Sequence, residues 1–205
     1  MDVLSWLQKL IGTNSRIDPG KARSQPVASA RPDRDEAIAY AVKLSGLVRD
    51  QPEAIAFYRA AFADHLNQFV TYNDLRKQGD LLNKEALKAL GLRANVKLSA
   101  QFLETLNERG RADPLAAACV LGHAISTALC TLRDLANIEA AGIGRAKFRA
   151  SNMAVGPCAA AANLADQTLL LSDALILPFE KCPHPDQCAC RYQAWLSLMD
   201  ELGIE

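Results

Sequence analysis

The chain has 205 residues, half of them hydrophobic but only 6% aromatic, with Lys plus Arg and Asp plus Glu balanced at 23 each. That length supports one sizeable core, and the dominance of alanine and leucine favours packed helices over a β-rich fold. Zero net charge gives no global basic field, so no nucleic-acid partner is expected.

The N-terminus opens Met1-Asp2 without a cationic leader, which predicts a cytoplasmic protein. In a reducing compartment its six cysteines are thiols or metal ligands rather than three disulfides. Residues 2–11 place Val3, Leu4, Trp6, Leu7, Leu10 and Ile11 on one broad helical face, an amphipathic docking helix for a protein partner. Membrane contact through so short a helix with one lysine is not expected. Residues 12–32 are rich in Gly, Pro, Ser, Arg and Lys and read as a flexible linker.

A helical domain is expected over 33–142. Asp33 and Glu36 have capping-box spacing, followed by Ile38, Val42, Leu44 and Leu47 in a helix running to Asp50. Pro52 starts a second helix whose core stripe is Ile55, Tyr58, Phe62, Leu66 and Phe69, with His65 beside it. Asn83 caps a short helix that stops at Gly91, and another is predicted between about Asn95 and Arg109, stopped by Gly110.

The clearest helix runs from an Asp113 N-cap and Pro114 to Gly142, and Pro114 to Leu132 carries no fixed charge. Its Ala, Gly, Ser, Thr, Cys and His content predicts a central buried helix at about 113–141 rather than a membrane span. Cys119, His123, Ser126 and Cys130 fall within roughly 60° of one another on it. The two thiols are about 16 Å apart along the axis and cannot share one ion, so a packing seam is the expectation, with His123 as a buried base lacking a partner.

Residues 143–205 read as a small Cys-rich subdomain packed on the bundle. Extended runs are predicted at Arg145 to Ser151 and Thr168 to Leu177, around an alanine-rich helical turn from Pro157 to Ala165 and with a Ser172-Asp173 turn. A closing helix is predicted from about Arg191 to Leu202, with Tyr192, Trp195, Leu196 and Met199 as its apolar stripe.

Cys182, His184, Cys188 and Cys190 crowd into nine residues, with Cys158 upstream as a fifth donor. Soft thiolates and imidazole suit zinc, and Pro183 and Pro185 stiffen the loop that would gather them. Against this stands the reading of small buried cysteines with no ion, because the Cys-x-Cys spacing is not the usual zinc pair.

The pieces Ala141 to Phe148, Gly156-Pro157-Cys158, Leu169 to Leu177 and His184 to Tyr192, taken in order, resemble the C-terminal part of the bacteriophage head-morphogenesis, or minor capsid, family. Cys158 stands alone where two cysteines often pair, and Ala189 replaces an arginine. The resemblance implies a small metal-tied C-terminal fold and a structural role, with no catalytic residues.

No paired carboxylates at catalytic spacing, nucleophile motif, phosphate-binding glycine loop or His-Glu hydrolase motif appears. The function expected is a non-enzymatic interaction or scaffold protein: a mainly α multi-helix bundle with a structural zinc knuckle. The alternative is a thiol- or metal-dependent enzyme using Cys182, Cys188 and Cys190.

Overall fold

The computed structural model describes residues 32–63, 72–153 and 155–196. The docking stretch 1–11, nearly all of the linker, His65, Leu66, Phe69 and Met199 lie outside the described residues. Among the described residues the chain is mainly α, with eight α-helices and one small sheet.

The helices begin where local chemistry starts them. In α1 (Arg34–Ser45) the Asp33 carboxylate accepts from the Glu36 N–H at 2.8 Å, and the Glu36 carboxylate accepts from the Asp33 N–H at 2.9 Å. Both orphan donors are thereby satisfied. The helix ends at Gly46, in the left-handed conformation at φ +61°, and not at Asp50. Beyond it Val48 pairs as an isolated bridge with Leu106, which holds that segment extended.

Helix α2 (Pro52–Ala61) has proline in its first turn, and its Tyr58 hydroxyl shares a 2.8 Å hydrogen bond with Thr105. Short helices α3 (Tyr72–Leu75) and α4 (Lys84–Ala89) follow, the latter capped by Asn83, which accepts from Ala86 N–H.

The helix expected over 95–109 is two elements, α5 (Ala100–Thr105) and α6 (Glu108–Ala112). Ser99 caps the first, accepting from Phe102 N–H, and Leu106 leaves the helix in extended conformation to make its bridge to Val48. Gly110 is no stop. It lies within α6, where a Cβ would sit 2.5 Å from the Leu47 carbonyl oxygen, so glycine here permits close backbone approach.

Helix α7 (Pro114–Ala140) is 27 residues long, about 40 Å at about 1.5 Å per residue. Asp113 caps it by accepting from Ala116 N–H at 3.0 Å, and Gly142 follows its end at φ +75°. Ala117, Ala118, Leu121, Gly122, Ala124, Ile125, Ala128 and Leu129 are buried on it. Small residues on α7 meet Ala37 and Ala41 of α1 in the same cluster, so the two helices approach closely. This is the one described helix long and apolar enough to cross a membrane; half of its most apolar window is buried inside the fold.

The C-terminal end of α7 contributes Leu135 and Ile138 to a second cluster, with Ala146, Phe148, Leu177, Phe179 and Tyr192. There a three-stranded antiparallel sheet has the order β2-β1-β3: β1 is Arg145–Arg149, β2 Thr168–Leu170 and β3 Arg191–Ala194. Between β1 and β2 lies helix α8 (Ala159–Leu164).

The run expected to extend from Thr168 to Leu177 stops pairing at Leu170 and turns through a 3-10 segment at Leu171–Asp173, on the predicted Ser172-Asp173 turn. The helix predicted from Arg191 is instead β3 at its start. Ladder pairing to β1 turns Tyr192 inward and leaves Trp195 and Leu196 exposed, so these residues do not form one stripe.

The Gly110 packing yields a direct check. Gly110→Ala should destabilise by about 1–3 kcal/mol, because the atom it would strike is backbone. That corresponds to a melting temperature lowered by roughly 2–12 °C in a chain of this size. Thermal melting followed by circular dichroism measures it, and a variant melting with its parent would remove the close-approach account.

Candidate metal centre

Two chain segments, one at Cys158 and one from Cys182 to Cys190, bring the predicted donors to one place. Cys158 is the N-cap residue of α8, positioned by Gly156 and Pro157. Cys182 follows a bend in which its N–H donates to Phe179 O at 2.8 Å. His184 precedes a 3-10 turn at Pro185–Gln187, which delivers Cys188, and Cys190 leads directly into β3.

Cys158, Cys182, His184, Cys188 and Cys190 all line a single cleft of about 100 Å³, with Ser151, the Val155 to Pro157 turn, Pro183 and Gln187 completing its walls. Cys188 and Cys190 are buried, Cys158 and Cys182 half-buried, and His184 exposed. The thiols interact in two pairs, Cys158 with Cys182 and Cys188 with Cys190. Among the described residues no group of three His, Cys, Asp or Glu stands at the spacing that would hold one ion as placed.

A backbone amide points at one of the sulfurs: Ser151 N–H donates to Cys190 Sγ at 3.3 Å. Such a bond favours the anionic sulfur that zinc requires. By donor type alone the set matches what a thiolate-bound zinc takes, Cys158, Cys182, Cys188 and Cys190 being soft donors with His184 at the mouth, while their placement does not gather three of them round one point.

The Cys188 thiol hydrogen-bonds to Cys190 and holds it below the ordinary thiol range, at about 6; burial opposes the shift and the Ser151 N–H assists it. The same bond, with burial, pushes Cys188 up. The two therefore share one proton over the neutral range. Burial also raises Cys182, against the His184 N–H.

Two braces on this loop were missed by the sequence. His123 of α7 is exposed rather than a buried base, and its Nε2 donates to the Cys188 carbonyl at 3.0 Å. Tyr40 of α1 donates to Pro178 O at 2.7 Å, and its phenol is pushed up to about 12 by burial, with Glu180, Cys182 and Cys188 adding to it. Cys119 is exposed and Cys130 half-buried; neither lines the cleft, and an exposed Cys119 does not belong to a packing seam. The shared helical face of Cys119 and His123 was visible in sequence, but its facing segment lies 65 residues beyond His123.

No protein-family model matches this chain, and neither a curated protein nor a solved structure is similar to it. The resemblance to phage head-morphogenesis proteins accordingly rests on the residues that carry it.

The thiol pair makes a pH prediction. A folded-state pKa below the unfolded value means that the stability contributed by Cys190 is present above the ordinary thiol range and lost as pH falls through about 6. In metal-stripped protein the first thiolate should appear near pH 6 by ultraviolet thiolate absorbance, and Cys190→Ser should remove that step. A first step at an ordinary thiol pKa would refute the pairing.

Proposed function

We propose that this chain is a non-enzymatic interaction or scaffold protein whose C-terminal segment is closed by a structural zinc ion. The observation that carries the reading is the meeting of all five sequence-predicted donors, from two segments of the chain, around one small cleft with the Ser151 amide aimed at the Cys190 sulfur. Four thiolates would complete a tetrahedral site and leave no open position for water or substrate. When bound, the ion would cross-link the start of α8 to the stretch that leads into β3.

The knuckle so formed would pack on the long helix through His123 and on α1 through Tyr40. A structural role also agrees with the resemblance to phage minor head proteins. The protein partner would be taken by residues 2–11 through Val3, Leu4, Trp6, Leu7, Leu10 and Ile11. A reducing cytoplasm would keep the thiols available.

Thiol chemistry at Cys182, Cys188 and Cys190 is a second reading, favoured by the lowered Cys190 pKa. The two part on one measurement. Elemental analysis of protein purified under reducing, chelator-free conditions should give about one zinc per chain. Cys190→Ser should release it and expose residues from Arg145 onward to hydrogen exchange, while helices before Gly110 stay protected. Metal-free protein whose Cys190 is rapidly alkylated would favour the thiol enzyme instead.

A further inference from the structure

The sheet has two faces, and the pairing register assigns each residue to one. Ala146, Phe148 and Tyr192 point into the second core cluster. Alternation then places Arg145, Lys147 and Arg149 of β1 on the opposite face. Directly across from Lys147 stands Gln193, and across from Arg149 stands Arg191. Trp195, whose N–H donates to the Arg145 carbonyl, continues β3 beside them, with Lys147 Nζ 5.2 Å from the centre of its ring.

Four cations, an amide and an indole thus occupy one face of a sheet three strands wide, in a chain whose total charge is zero. Two guanidinium groups directly opposite each other repel, and such a pair is destabilising unless an anion lies near. Asp166 takes up Arg149 and lies 3.6 Å from Lys147. Arg145 and Arg191 are exposed and make no ion pair among the described residues. Trp195 retains 38% exposure although Lys147 covers part of it.

We propose that this outer face of the sheet binds single-stranded nucleic acid. Cations at alternate strand positions recur about every 6.6 Å, at ~3.3 Å per residue, and can follow the successive phosphates of an extended polyanion. The Gln193 side-chain oxygen accepts from Arg149 Nε at 2.8 Å, which leaves its amide N–H groups as donors to base edges, and the Trp195 ring offers a stacking surface indifferent to sequence. A folded acidic protein would use the indole as well, so competition by polyglutamate is the measurement that separates the two occupants. A linear count of charges along the chain averages this patch away, and only the β1–β3 register joins Arg191 to the β1 cations. The inference does not rest on the zinc reading, since the cleft donors are not among these residues.

The test is fluorescence anisotropy of labelled oligothymidylate and oligouridylate titrated with the full chain as purified. Binding of either should weaken between about 50 and 200 mM salt, with a log–log slope of about −1.4 to −2.8, that is two to four phosphates at about −0.7 each, because Asp166 already pairs with Lys147 and Arg149. Arg145→Gln with Arg191→Gln should weaken binding at low salt at least roughly tenfold and reduce the slope by about 1.4. Trp195→Ala should weaken it roughly 5- to 100-fold with the slope unchanged. Lys88→Gln with Arg93→Gln, on exposed positions outside the sheet, should match the parent. Circular dichroism melts confirm that each variant folds, and if the double variant does not, Arg145→Gln alone and Trp195→Ala decide. No binding at low salt, equal loss in the Lys88/Arg93 variant, or equally strong competition by polyglutamate or phosphatidylserine vesicles would overturn the proposal.

Discussion

Everything described in this chain depends on the length of helix α7. Its N-terminal two-thirds closes the first core against α1, α3 and α6, and its last turns carry Leu135 and Ile138 into the second. A shorter helix would leave the sheet without a wall. The helix can do both because small residues on its first half allow close packing, while isoleucine and leucine near its end fill the wider gap beneath the strands. An Asp113 cap at one end and Gly142 at the other set that length chemically.

The cysteine loop uses the same frame in a different way. From Cys182 to Cys190 it contributes no large apolar side chain; its cysteines pack into the second cluster, and polar contacts fix it further: His123 to the Cys188 carbonyl, Tyr40 to the Pro178 carbonyl, and Ser151 to the Cys190 sulfur. Each contact comes from a different element. A small segment so tethered has a fixed position, yet little burial energy of its own. That deficit is the physical reason a cross-linking ion would matter here more than in the helical half.

What could be read from the sequence divides by range. Caps at Asp33, Asn83, Asp113 and the glycine after α7 were legible because a cap is a contact three residues long. The break at Leu106 was not, because it answers to Val48, 58 positions earlier in the chain. Arg191 to Ala194 failed for the same reason: their apolar spacing suits a helix, and only pairing with β1 makes them a strand. The five donors were named because four lie within nine residues. Tyr40 was not, since its partner stands 138 residues away and nothing local marks it.

The junction of cleft and sheet has one more implication, for how the chain can vary in length. Cys190 is followed at once by Arg191, the first paired residue of β3, and Tyr192 two positions on is buried against Phe148. Side chains in a strand alternate, so one residue inserted between Cys190 and Tyr192 would turn every later β3 side chain over. The tyrosine would face water and charged or amide groups would enter the core. Related chains should therefore hardly differ in length across the two residues that join the thiol to the strand.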